Sequence, residues 1–111
     1  MERNARMKPT SSTMSEIVER LVQGLHPEAI YLFGSQARGN ADEASDIDLL
    51  VVVPKSNLPR HRREALSYDL LWGVKTPVDL IVLTRSEFER GVRVKTSLPA
   101  RVKKEGVVLY E

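Results

Sequence analysis

The chain contains no cysteine, which removes disulfides, thiolate catalysis and cysteine-ligated zinc at once. Aromatic residues make up only 5% of it, so any core has to rest on Val, Leu and Ile. No apolar run approaches the ~18 to 20 residues that a bilayer span requires. The start lacks the apolar stretch of a secretory signal. These absences lead to the expectation of a soluble, cytoplasmic protein. Neither sign of charge dominates: 17 Lys and Arg stand against 15 Asp and Glu, a formal +2 that permits contact with nucleotides without demanding it. What is present is 111 residues, 41% of them apolar, enough for one globular domain with a small core.

Residues 1–12 mix charge, Pro9 and a Thr-Ser-Ser-Thr cluster without periodicity, and are expected to form a flexible lead-in to a domain spanning 13–111. From Thr13, the positions Ile17, Val18, Leu21, Val22 and Leu25 follow helical spacing, closed by Gly24 and Pro27. Ala29 to Phe33 reads as a short strand ending at Gly34, with a short helix expected from Gln36 and a polar loop over Gly39 to Ser45. Asp46 to Val53 reads as a strand whose unbroken Leu-Leu-Val-Val-Val run implies burial on both faces. A helix is expected over Leu58 to Trp72, with Leu66, Leu70 and Trp72 toward the core. Arg60, Arg62 and Arg63 are expected on its solvated face, and Tyr68 in packing. Val78 to Leu83 is a further strand. Thr84 and Glu87 have the spacing of a capping box for a helix through Arg90. Leu98 to Lys104 is a last helix before a terminal strand, Val107 to Tyr110. Alternating strands and helices predict an α/β (α+β) fold, a small mixed sheet with helices packed on it.

The chemistry concentrates in Gly34-Ser35 and, ten residues on, Asp46-x-Asp48 at the mouth of the apolar strand. Side chains alternate along a strand, so Asp46 and Asp48 share a face with Cα atoms roughly 6.5 Å apart, from about 3.3 Å of rise per residue. Asp79 lies within Pro77-Val-Asp-Leu-Ile-Val-Leu83, and joins the other two if its strand is their neighbour. Three carboxylates gathered together repel, and a hard divalent cation carrying a nucleoside triphosphate resolves the conflict. A glycine turn at a helix start, with the hydroxyl of Ser35, suits phosphate oxygens. Ser35 is not an acylating nucleophile of the hydrolase-elbow type, because that turn needs glycine on both sides at one residue's remove. Arg38 is a further candidate for the triphosphate. His26 and His61 are isolated, without ligand spacing.

The pattern Gly34-Ser35, Asp46-x-Asp48 and a strand-borne Asp79 resembles the minimal nucleotidyltransferases of the DNA polymerase β-like superfamily. The likeness runs from the first helix to the terminal Glu105-Gly-Val-Val-Leu-Tyr110. It implies the palm-like nucleotidyltransferase fold, two Mg2+ ions held by Asp46, Asp48 and Asp79, and activation of an attacking hydroxyl by Asp79. It implies ATP as substrate, with the triphosphate held by Gly34 and Ser35, and pyrophosphate as leaving group. Small proteins of this kind are similar to the antitoxin halves of toxin–antitoxin pairs, whose partner is a HEPN-type RNase. The resemblance therefore implies transfer of AMP to a tyrosine of such a toxin, with no direct nucleic-acid binding. Two rival expectations remain open: an antitoxin that inhibits by contact alone, and a nucleotidyltransferase acting on a small molecule or an RNA.

Overall fold

A computed structural model describes residues 11–34, 37 and 46–111. The lead-in to residue 10, the short helix expected from Gln36 and the polar loop to Ser45 lie outside the described residues. So do Ser35 and Arg38.

Helix α1, Ser11–Leu25, starts two residues ahead of the expected Thr13. It buries Met14, Ile17, Val18 and Leu21, one stripe of the 3.6-residue period. His26, at φ 49°, reverses the chain in the left-handed region just past the helix. Strand β1, Ala29–Phe33, follows, then β2, Ile47–Val53. Helix α2, Arg60–Leu70, returns the chain to β3, Val78–Thr84. Helices α3, Arg85–Val92, and α4, Leu98–Glu105, lead to β4, Val107–Tyr110. Thr84 caps α3 through the full reciprocal capping box with Glu87.

The four strands form one mixed sheet in the order β3-β2-β1-β4. β1 is antiparallel to both β2 and β4, whereas β2 and β3 run parallel through the α2 crossover. On one face, the α1 stripe packs on Ile30, Leu32, Leu49, Val51, Leu80 and Val82. On the other, Phe88 of α3 and Val102 of α4 pack on Tyr31, Leu50 and Val52. β2 is thus buried on both sides, as its apolar run implies.

The two edges of the sheet differ. The outward backbone groups of β3 are taken up by side chains: the Leu80 N–H donates to the Tyr68 hydroxyl (2.8 Å), and the Val82 N–H to Glu64 (3.2 Å). The Thr84 N–H donates to Glu87 (3.0 Å), and the Val82 carbonyl accepts from Arg63 (2.8 Å). At the other edge, β4 is four residues long and its register breaks opposite Ile30 and Tyr31.

This edge cover corrects the reading of α2. Arg63, expected in water, is only 7% exposed and grips Glu87 through two nitrogens, at 2.8 and 3.0 Å. The buried stripe runs through Arg63, which reaches the Val82 carbonyl of β3, Ser67, whose hydroxyl donates to the Arg63 carbonyl at 2.7 Å, and Leu71, which joins the apolar core. Leu70 packs partly against the core, but Leu66 is 53% exposed and Trp72 87%. Tyr68 is also exposed, with its hydroxyl rather than its ring holding β3.

Candidate active site

The parallel register of β2 and β3 sets Asp48 directly beside Asp79, and the antiparallel register of β1 sets Phe33 on the other flank. Alternation decides the face. Ile47 and Leu49 point into the α1 layer, so Asp48 faces the opposite way, with Leu50 and Val52 further along the same side. Phe88 and Val102 cover the stretch around Leu50 and Val52, while Asp79 is exposed and Asp48 half-buried. Asp46 stands exposed one residue before β2, whose first N–H, that of Ile47, donates to the Pro77 carbonyl at 3.0 Å. That bond ties the entrance of β2 to the entrance of β3.

The electrostatics of the pair follow. Partial burial raises the Asp48 carboxyl above the ordinary carboxylate range, the charge of Asp79 and a hydrogen bond with it raise it further, and Asp46 adds a smaller push. The two carboxyls crowd negative charge onto one spot of the sheet. Among the described residues, however, no three His, Asp or Glu side chains converge closely enough to hold one ion together. The structure therefore brings Asp48 and Asp79 together and leaves Asp46 beside them at the strand mouth. The donors are hard oxygens with excess negative charge, a set that suits a hard divalent cation.

Gly34 completes this part of the site. Its φ of +78° lies in the left-handed region, and a Cβ there would come within 2.3 Å of Asp48 Oδ2. Glycine is required at this position because the turn closes onto the carboxylate. Beside the turn, Phe33, Gly34 and Ala37 share a cavity of about 170 Å³ with Arg101 and Glu105 of α4. The sequence reading did not single out Arg101. It lies far along the chain on an unremarkable helix, and only the fold brings it to the glycine turn.

With this geometry in view, the comparisons with known proteins are decisive. A family model described as "Nucleotidyltransferase domain" matches residues 12–109. The chain belongs to that family. A solved nucleotidyltransferase-family structure from Sulfolobus solfataricus, titled a "putative nucleotidyltransferase", superposes with a TM-score of 0.63 at 30% identity. The likeness covers 96% of this chain and 82% of that one. The four-stranded mixed sheet with its helices is therefore a nucleotidyltransferase-like fold. A Methanocaldococcus jannaschii protein named "Putative protein adenylyltransferase" is 38% identical over 60 residues, 50% of this chain. The match spans 41% of that relative's length. Among the described residues, no helix of this family member is long and apolar enough to cross a membrane.

Proposed function

We propose that this nucleotidyltransferase-family chain transfers AMP from ATP to a hydroxyl of a partner protein, and that it does so with Mg2+. The observation that carries the reading is the Asp48–Asp79 pair, held in register on adjacent strands with Gly34 folded against it. The printed name of the M. jannaschii relative supports adenylyl transfer to protein over other acceptors.

Asp48 and Asp79, joined by Asp46, are the residues that would hold the ion. When bound, Mg2+ supplies charge neutralisation at the phosphates and lowers the pKa of the acceptor hydroxyl. The chain's own groups do the rest. Gly34, lacking a side chain, leaves its peptide open to phosphate oxygens; the sequence pattern adds Ser35 and Arg38 as the residues that would hold the triphosphate. Asp79, exposed beside Asp48, would take the proton of the acceptor hydroxyl as that oxygen bonds to the α-phosphorus, the role the family resemblance gives it. The bond between the α-phosphorus and the bridging oxygen breaks, and pyrophosphate leaves. Positioning and charge compensation supply most of the rate in such a transfer.

The partner we propose is a HEPN-type RNase toxin whose tyrosine accepts AMP, which would make this chain its antitoxin. That part rests on the family resemblance carried by Gly34-Ser35 and Asp46-x-Asp48. The test is to incubate the toxin with this chain, ATP and Mg2+, then weigh the toxin and map the modified residue. An added AMP that disappears with Asp79→Asn is the expected result. An inhibited toxin of unaltered mass would overturn transfer in favour of inhibition by contact. AMP found only on an RNA or a small molecule would overturn the protein acceptor.

A further inference from the structure

Three side chains stand in a row across the sheet. Cross-strand partners share a face, so Asp79, Asp48 and Phe33 point the same way, from β3 through β2 to β1. At about 4.8 Å between neighbouring strands, the row spans roughly 10 Å. Phe33 packs against the cluster of Leu50, Val52 and Val102, which puts the row on the side that α4 covers. Beyond β1 comes β4, and with it the end of α4. Gly106, the C-cap of that helix, has no room for a side chain. A Cβ there would stand 2.6 Å from the Val102 carbonyl oxygen and 3.1 Å from that of Leu32. The Gly106 N–H donates to the Val102 carbonyl at 2.8 Å. The last turn of α4 is thereby pressed onto the end of β1, next to the glycine turn.

This seat brings α4 into the site. The cavity of about 170 Å³ at the glycine turn is lined by Phe33, Gly34 and Ala37 at the end of β1, and by Arg101, Val102 and Glu105 of α4. A site for a whole small molecule occupies about 300–1,000 Å³, so this one takes a part of a nucleotide. Arg101 is the only cation among the described residues that line it. It has no ion pair among the described residues, although Glu105 follows four positions later on the same helix. An uncommitted guanidinium on an anchored helix suits phosphate oxygens, which it can meet with two parallel bonds.

The direction of the reaction decides which part. In phosphoryl transfer the attacking and leaving oxygens lie roughly in line across the phosphorus. A hydroxyl that enters beside Asp79, at the β3 end of the row, drives the leaving oxygen toward the β1 end. We infer, on the reading of the chain as an adenylyl-transferring enzyme in which Asp79 takes the acceptor proton, that Arg101 binds the β- and γ-phosphates of ATP. It thereby carries the charge of the departing pyrophosphate. The acceptor oxygen bonds to the α-phosphorus, and its proton passes to Asp79. The bond from the α-phosphorus to the bridging oxygen breaks, and its electron pair stays with pyrophosphate. That negative charge develops at the end of the row where Arg101 stands, away from the carboxylates. The rival tenant of the cavity is the base, stacked on Phe33 with its amino group on Glu105. It would leave Arg101 without an anion and set the base, rather than phosphate, against the open peptide of Gly34.

Calorimetric titration of the intact protein separates the two, with Mg2+ throughout and with inorganic pyrophosphate, AMP and ATP as probes. We expect Arg101→Ala to weaken pyrophosphate and ATP about tenfold while leaving AMP as it was, and Arg101→Lys to recover part of the loss. Glu105→Gln should tighten pyrophosphate and spare AMP, because it removes a repelling charge from the same cavity. Arg101 is exposed, so the variants should keep the parent's melting temperature, which is checked alongside. Loss of AMP binding in Arg101→Ala or Glu105→Gln would assign the cavity to the base and overturn the inference. If the wild-type chain binds Mg2+ with ATP and Arg101→Ala binds pyrophosphate equally well, the transfer reading stands without Arg101. If the wild-type chain binds neither ATP nor pyrophosphate, the transfer reading falls and takes the role of Arg101 with it.

Discussion

Asp48 is held in a conflict that the fold creates and does not relieve. Its carboxyl is raised by burial, by Asp79 and by Asp46, in that order of importance. A carboxyl whose folded pKa lies above its unfolded value makes the folded state bind protons more readily. The charged form therefore costs stability at neutral pH, and the cost is relieved as pH falls through the raised value. Asp48→Asn should accordingly raise the melting temperature of the metal-free protein by about 2–5 °C at pH 7, with the gain shrinking toward pH 4. Thermal scans across that range check the sign, and a lower melting temperature for the variant would mean that Asp48 is a structural anchor. Gly34 is the residue that makes this crowding possible. Gly34→Ala puts a methyl group into Asp48 Oδ2 and a side chain at positive φ. The expected cost is about 1–2 kcal/mol in urea denaturation, together with loss of nucleotide transfer. The link between this glycine and the acid fourteen positions later is visible in the sequence only as a spacing. Its cause is a contact between a turn and a strand.

At the scale of single elements, α2 shows where sequence periodicity stops being informative. β1 and β4 keep the bounds expected of them, and the capping box at Thr84 and Glu87 forms as anticipated, because each depends on residues close along the chain. Arg63 is buried because its partners, the Val82 carbonyl of β3 and Glu87 of α3, lie far along the chain, and the sequence of α2 carries no record of them. Leu66 and Leu70, four apart, suggest one stripe, while Arg63 and Ser67, also four apart, form the buried one. Arg63 is consequently structural. Removing it leaves the Val82 carbonyl and Glu87 without their cation, and Arg63→Ala should cost about 3 kcal/mol, measured by denaturant unfolding. Glu87 adds a pH signature. The Arg63 hydrogen bonds hold its carboxyl at about 2, against 4.5 for the unconstrained group. A depressed pKa stabilises the fold above about pH 4.5, and that contribution drains away as pH falls toward about 2. Glu87→Gln should thus be less stable than the parent at pH 7 and nearly equal to it at pH 2, in matched denaturation curves.

For the whole molecule, the site is a product of strand order. Asp46, Asp48 and Asp79 could be picked out because acids are out of place beside an apolar run, and because a strand's alternation assigns them to one side. The meeting of Asp48 with Asp79 depends on β3 lying next to β2 in parallel, which the intervening helix of a crossover makes natural, while Asp46 stays at the strand mouth. Arg101 could not be found this way, since nothing near it along the chain differs from an ordinary helix surface. If the charge conflict is resolved by Mg2+ with ATP, adding both together at a hundred times their dissociation constant should stabilise the protein by about 2.7 kcal/mol, seen as a rise in melting temperature. Asp79→Asn should abolish that rise while leaving the protein folded, and EDTA alone should leave the melting temperature of the unliganded protein where it was. A collapse on chelation would assign the acids to the framework.

The treatment of the two sheet edges has a consequence for how this protein associates. With β3 covered by the side chains of α2 and α3, copies cannot extend the sheet from that side without displacing those bonds, which leaves the short β4 as the free edge among the described residues. Main-chain zippering is thus opposed on one side and confined on the other to four residues whose pairing is already irregular. Such an arrangement favours company recruited through side chains, which can be chosen.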